Sequence, residues 1–244
     1  MVALFSRTLR PSWEFTPGTP IWRLHPPVEG RIIGEVRDPE GKRAMFFALD
    51  AATGKCLWRD KTLHDPWWVA IERVTGDKLL LHGYVAPDFP VLHGITVVDI
   101  PTGAVVWSDP EWSGDEAALA AAGIELHPAH AGEEPVFPVS ADPHDPGVQS
   151  MLAAAGWAPG TIDGPVEFAE QRGRIVAAAH VGTGTGQDVQ LTHRLVVLDP
   201  GPRRVLFAVT LVAAAKGVAP DAFFLSGGIL YYIRERTTLC ALRP

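Results

Sequence analysis

Only two cysteines, Cys56 and Cys240, occur in the 244 residues. That number is too few for a disulfide-stapled scaffold, and their separation fits no metal motif. Basic residues are also few: 21 Lys and Arg stand against 28 Asp and Glu, giving a net charge of −7. No Lys/Arg run exceeds two residues, so the basic stripe that a phosphate backbone requires is missing. No apolar stretch approaches the roughly 18 residues needed to span a bilayer. The opening MVALFSRTLRPSWEF meets Arg7, Arg10 and Pro11 before any run of signal-peptide length. These absences predict a soluble, cytoplasmic protein with reduced thiols and with neither nucleic acid nor membrane as partner. Apolar residues, at 47% of the chain, exclude intrinsic disorder and are enough for a sizeable core.

What the sequence does contain is a repeat. FFALDAATGKCLWRD at 46–60 and ITVVDIPTGAVVWSD at 95–109 have the same layout. Each has an apolar run, an Asp, a turn ending in Thr-Gly, and a second run closing on a Trp. This is hairpin chemistry: Asp50 or Asp99 accepts turn N–H groups, and Gly54 or Gly103 takes a positive φ without a Cβ clash. Trp58 and Trp107 then fall on the second strand. A weaker copy, LVVLDPGPRRVLFAV at 195–209, puts Asp199 in register and Phe207 in the Trp position. A truncated one, TLCALRP, ends the chain.

Upstream of each hairpin runs an apolar strand, a Gly-containing turn and a very apolar strand, as in WWVAIERVTGDKLLLHGYV and VEFAEQRGRIVAAAHV. Units of about four strands with periods in the forties are those of propeller blades. The expectation is an all-β fold, a small β-propeller of about five blades forming one domain over 1–244. The blades are 16–60, 61–110, a degenerate unit at 111–164, 165–213, and 214–244 completed by residues 1–15. The last unit stops after its third strand, and Trp13-Glu14-Phe15 resembles the missing outer one. The N-terminal strand is therefore expected to close the last blade; packing elsewhere is the alternative. Within 111–164, Ser113 with Glu116 reads as a capping box before one short helix. Asp145 as N-cap, Pro146 at the first turn and Gly156 at the stop define a second. This segment is either a fifth, degenerate blade or an insertion between four.

The Ala-Leu-Asp-x-x-Thr-Gly-x-x-x-Trp string, close at 48–58 and good at 97–107, resembles the repeat of pyrroloquinoline-quinone-type (quinoprotein-like) propellers. With GTPIWRLHP, FFALD, PWWVAIE and LHGYVAPDFPVLHGI, the chain also resembles an uncharacterised family of small bacterial proteins of this repeat type. The resemblance implies the fold and no cofactor. The quinone alcohol dehydrogenases place adjacent cysteines at their cofactor, whereas Cys56 and Cys240 are far apart. It implies no activity and no catalytic residue either, because function lives in sites grafted on folds.

Candidate sites follow from the residues alone. GTGTG at 182–186 precedes a strand rather than a helix, which favours a hairpin loop over a phosphate cradle. His127 and His130 have a three-residue spacing, but Pro128 interrupts any helix that would align them on a metal. No metal site is assigned. Acidic residues lie before or on the first strand of several units: Asp65, Glu72, Asp115, Asp163, Glu167 and Asp221. In a propeller such strands line the channel, where carboxylates converge to bind a cation or to act on a glycoside. Trp22, Trp67 and Trp68 crowd the same region, with His25, His64, His82 and His93 expected in adjoining loops. Trp67 and Trp68 are expected on one strand, pointing to opposite faces. Asp65, Trp67, Trp68, His82, Glu167 and Asp221 are thus the candidate ligand-binding residues. Two functions remain open: a non-catalytic scaffold binding a protein or small molecule, and a carbohydrate-active hydrolase using carboxylates at the channel mouth.

Overall fold

The structure, a computed structural model, describes residues 9–63, 67–86, 89–112, 114–125, 133–183, 190–199, 201, 204–217 and 222–244; the side chains of 85, 86 and 89–92 are outside the description. It is all-β, with strands paired antiparallel into four sheets. In chain order the first elements are β1 (Trp13–Phe15), β2 (Ile21–Val28), β3 (Arg31–Asp38), β4 (Arg43–Asp50) and β5 (Cys56–Lys61). Next come β6 (Val69–Thr75), β7 (Lys78–Ala86), β8 (Phe89–Asp99), β9 (Val105–Asp109) and the helix α1 (Glu116–Ala121). Then follow β10 (Val139–Ala141), α2 (Pro146–Ala155), β11 (Ile162–Gln171), β12 (Arg174–Thr183), β13 (Gln190–Leu198) and β14 (Val205–Ala215). The chain finishes with β15 (Phe223–Ser226), β16 (Ile229–Arg234) and β17 (Thr238–Leu242).

Two compact units emerge, one of Thr16–Glu133 and one joining the N-terminal residues through Phe15 to Glu134–Pro244. The first contains the sheets β2-β3-β4-β5 and β6-β7-β8-β9. The second contains β10-β11-β12-β13-β14 and β1-β17-β16-β15. The N-terminal strand therefore completes the C-terminal sheet as expected, with Trp13 opposite Ala241 and Phe15 opposite Leu239. A bidentate ion pair from Arg234 on β16 to Glu14 on β1, at 2.7 and 3.0 Å, ties the closing strand to the sheet across β17.

The repeated hairpins have the turn chemistry read from the sequence. The Asp50 carboxylate accepts the Thr53 N–H at 2.8 Å, and Asp99 accepts that of Thr102 at 3.0 Å. Gly54 and Gly103 sit at φ of +70° and +72°. Trp58 pairs with Ala48, Trp107 with Val97 and Phe207 with Val197. The third hairpin thus repeats the register with Phe in the Trp position.

The missing period-2 alternation in the inner strands has a physical cause within each unit. In the first, one face of the second sheet packs Val69, Ile71, Leu79, Leu81 and Val98 against Ile33, Phe46 and Ala48 of the first sheet. Its other face packs Leu80, Ile95 and Val97 under Trp112, Leu119 and Ile124, around α1. In the second unit, Val176, Ala178, Leu195 and Val197 meet Phe223, Leu225, Leu230 and Tyr232. The opposite face, with Ala177, Ala179 and Val196, is covered by Val148, Met151 and Leu152 of α2. A sheet covered on both faces needs apolar residues at every position.

Among the described residues, 111–164 adds no sheet of its own: it supplies α1, α2, a 3-10 turn at Pro159–Thr161, β10 on the edge of β11, the first residues of β11, and a bridge from Val136 to Leu225. The caps of α2 are those expected: Asp145 accepts the Gly147 N–H, and Gly156 is left-handed at φ 73°. For α1 the cap is Asp115, accepting from Ala117, and not Ser113. Asp115 immediately precedes the helix and reaches its exposed N–H groups directly. Ser113 lies outside the described residues.

Candidate functional site

Two β-bulges in the first unit create its most polar buried region. In β2, Ile21 pairs with Val36 and Arg23 with Glu35, so Trp22 is the extra residue. In β6, Ile71 pairs with Leu81 and Arg73 with Leu80, so Glu72 is the extra residue. A bulge locally re-aims the side chain it carries. Here one re-aims an indole and the other a carboxylate.

Arg37 on β3 is the centre of this region. Its Nε donates to Glu35 Oε1 at 2.6 Å, while its terminal nitrogens donate to the carbonyls of Trp67 at 3.0 Å and Val69 at 2.8 Å. The guanidinium carbon lies 5.0 Å from the Trp67 ring centroid and 5.7 Å from that of Trp22. Hydrogen bonds and two π faces thus fix the cation from several sides. The Glu35 side chain is only 1% exposed. Burial holds its pKa above the usual carboxylate range, against the opposing pull of Arg37 and, more weakly, Arg23. Trp22, in contrast, is 64% exposed.

Beside this core, Glu72 Oε2 lies 2.7 Å from Nδ1 of the buried His82, whose ring meets Tyr84 edge-on at 4.7 Å. Burial lowers the His82 pKa, and Glu72 only partly restores it. His25 is also lowered by burial, with the Pro26 carbonyl acting against the shift. Arg23 donates to the Ile71 carbonyl at 3.4 Å. Arg37 thus lies against an exposed indole, with Arg23 on β2 and the Glu72–His82 pair on β6 and β7.

Of the six residues expected to bind ligand, Trp67, Trp68 and His82 are the described ones in this unit. The two tryptophans precede β6 in a bend rather than occupying one strand. Their rings meet edge-on at 6.3 Å, Trp67 facing Arg37. His82, expected in a loop, is instead buried on β7, which runs on through Gly83 and Tyr84. His25 and His93 likewise lie on strands, β2 and β8. Glu167 is buried on β11 in the second unit, opposite Ala178. Asp65 and Asp221 lie outside the described residues, as do His64, His127 and His130.

The second unit contains a pair that sequence reasoning missed. His180 on β12 and His193 on β13 are direct cross-strand partners, with rings stacked 3.9 Å apart at 20°. Both are buried. Burial and the neighbouring His180 push His193 down to about 3. His180 is lowered by burial, against the charge of Asp163 directly opposite it on β11. The signal was positional: Thr183 pairs with Gln190, and the two histidines stand three residues from that pair, one on each strand. Among the described residues, no three His, Cys, Asp or Glu side chains are grouped to hold a metal ion.

Comparison with known proteins adds little to this chemistry. Residues 27–107 match a family described as "Domain of unknown function (DUF4905)". That span covers β3 to β8 in full and contains Glu35, Arg37, Trp67 and His82. No curated protein matches. Among solved structures, an acylaminoacyl peptidase from Pyrococcus horikoshii aligns over 89% of this chain and 28% of its own, at 8% identity and a TM-score of 0.26. The chain thus spans under a third of that protein's length. A DUF4221 family member from Bacteroides vulgatus aligns over 89% of this chain and 78% of its own, at 8% identity and a TM-score of 0.25. Saccharomyces cerevisiae Sqt1 aligns over 89% and 59%, at 9% identity and a TM-score of 0.22. At such scores none of them lends this chain an activity. No helix among the described residues is long and apolar enough to cross a membrane.

Proposed function

We propose that the chain is a non-catalytic binding scaffold, a single-domain small β-propeller of quinoprotein-like repeats, acting in the cytoplasm. It takes a protein or small-molecule ligand on the Trp22–Arg37–Trp67 surface. Three hairpins in matched register and the closing strand β1 support the propeller reading. Free thiols at Cys56 and Cys240 suit a reducing compartment. The observation that carries the functional reading is the fixed Arg37. Three hydrogen bonds and two ring contacts hold it under an exposed Trp22, so the surface needs little ordering when a ligand arrives.

The carboxylates of this unit support binding over hydrolysis. Glu35 is tied to Arg37, Glu72 to His82 and Asp115 to the start of α1. A glycosidase needs two carboxyl groups facing the scissile bond, one of them holding a proton for the leaving group. Groups committed to structural partners are poor candidates for either role.

The test is to probe arrays of oligosaccharides and peptides with the parent protein and with Trp22→Ala. Far-UV circular dichroism and melting temperature establish that the variant folds. The reading expects at least one ligand on the parent, weakened about tenfold or more in the variant, as for a buried aromatic contact. If every ligand of the parent is held equally by Trp22→Ala, the surface is wrongly assigned.

A further inference from the structure

In the second unit, a cavity of about 360 Å³ lies between α2 and the sheet it covers. Val148, Met151, Phe168, Ile175 and Leu198 supply apolar walls, and Val148, Met151 and Leu198 among them are buried. Asp145 and Glu170 also line the cavity, and both are exposed to solvent. The lining has two carboxylates and neither Lys nor Arg. An apolar chamber in the size range of small-molecule sites, with a few charges of one sign, selects its occupant by charge as well as by fit. The chain's net charge of −7 adds a long-range attraction of the same sign.

The two carboxylates differ in their commitments. Asp145 Oδ1 accepts the Gly147 N–H at 2.7 Å and caps α2, so its position is fixed by the helix. Glu170 lies on β11 opposite Ile175, beside the apolar wall. Met151 is an adaptable side chain that accommodates varied apolar shapes. We infer that this cavity binds a small amphipathic cation, a primary amine carried on an aromatic or branched aliphatic body. The apolar body occupies the space between α2 and the sheet, and the ammonium group sits between Asp145 and Glu170. This site is separate from the Trp22–Arg37–Trp67 surface and does not depend on that reading.

Three indole probes of nearly one shape make the test: tryptamine as cation, tryptophol as neutral analogue and indole-3-propionate as anion. The chain has three methionines, Met1, Met45 and Met151, so a ¹³C-methyl-methionine spectrum gives a direct reporter at Met151. The expected result is a saturable shift of the Met151 methyl with tryptamine, about threefold or more tighter than with tryptophol, as for a partly exposed ion pair. The anion should give no saturable shift. Glu170→Gln leaves the cap of α2 intact and should remove the cation's advantage. Ala141→Leu, which fills the cavity, should abolish binding of all three probes; Glu170→Gln decides the matter if that variant fails to fold. An unmoved Met151 methyl with tryptamine, or equal affinity for the three probes in the parent, overturns the proposal.

Discussion

Replacing Gly103 by alanine tests the hairpin geometry at a single atom. Gly103 sits at φ +72°, where an L residue pays about 1–2 kcal/mol. The added Cβ would also lie 2.8 Å from Trp58 Cγ, closer than side chains tolerate, and 3.0 Å from Cδ1. Cγ is the attachment point of the ring, so the indole cannot swing clear while its backbone stays in β5. That indole donates from Nε1 to the Ile100 carbonyl at 2.6 Å and packs on the core shared by the two sheets. Losing the hydrogen bond adds about 0.5–1.5 kcal/mol. The total expected loss is therefore about 2–3 kcal/mol. Urea unfolding followed by far-UV circular dichroism measures it, with the slope checked for constancy. In a Trp58→Ala background the steric part disappears, so Gly103→Ala should cost about 1 kcal/mol less than in the parent. An unchanged midpoint, or identical costs in the two backgrounds, would refute this account of the turn.

Removing residues 1–15 exposes the edge of β17 and removes Trp13, whose ring lies 6.1 Å from that of Tyr231. Calorimetry should show a loss of about 3 kcal/mol or more, and light scattering should show self-association through the open edge; an unchanged, monomeric protein would contradict the pairing. Arg37→Ala leaves Glu35 buried without its cation and should cost about 3 kcal/mol, the part due to the stranded carboxylate being recovered in an Arg37→Ala/Glu35→Gln double variant while the Trp67 and Val69 carbonyls still lack their donor; a single variant as stable as the parent would show that the pair is dispensable. His193 is neutral when folded, with a pKa near 3 against 6.5 unfolded, so the unfolded chain binds the extra proton between those values. Stability should fall with decreasing pH across that window by up to about 1.4 kcal/mol per unit, and His193→Gln should flatten the slope; a parallel slope would exclude His193 as its source. Glu35 acts in the opposite sense, its raised pKa removing stability as pH rises above 4.5 toward its folded value.

The hairpins could be read from the sequence because their determinants are local. Asp50, Thr53 and Gly54 occupy one turn, and the same letters recur at Asp99, Thr102 and Gly103. The closing strand was legible for a different reason: an incomplete last unit needed a partner, and Trp13-Glu14-Phe15 had the right form. The caps of α2 announced themselves through Asp145, Pro146 and Gly156. The core of the candidate site did not. A bulge at Trp22 or Glu72 is one unpaired residue, visible only when the partner strand is known. Arg37 looks like any strand arginine, since two of its acceptors are backbone carbonyls some 30 residues away, at Trp67 and Val69. His82 was expected in a loop beside the first strands, yet β7 continues through it to Ala86.

Binding without turnover is the central claim, and native mass spectrometry tests it directly. The parent protein is incubated with the tightest array ligand, and the masses of both complex and free ligand are followed over time. The account predicts a stoichiometric complex of unaltered ligand, weakened about tenfold or more in Trp22→Ala and retained in Glu167→Gln. Accumulating cleavage products that disappear in Glu72→Gln or Glu167→Gln would contradict it and establish the chain as a hydrolase.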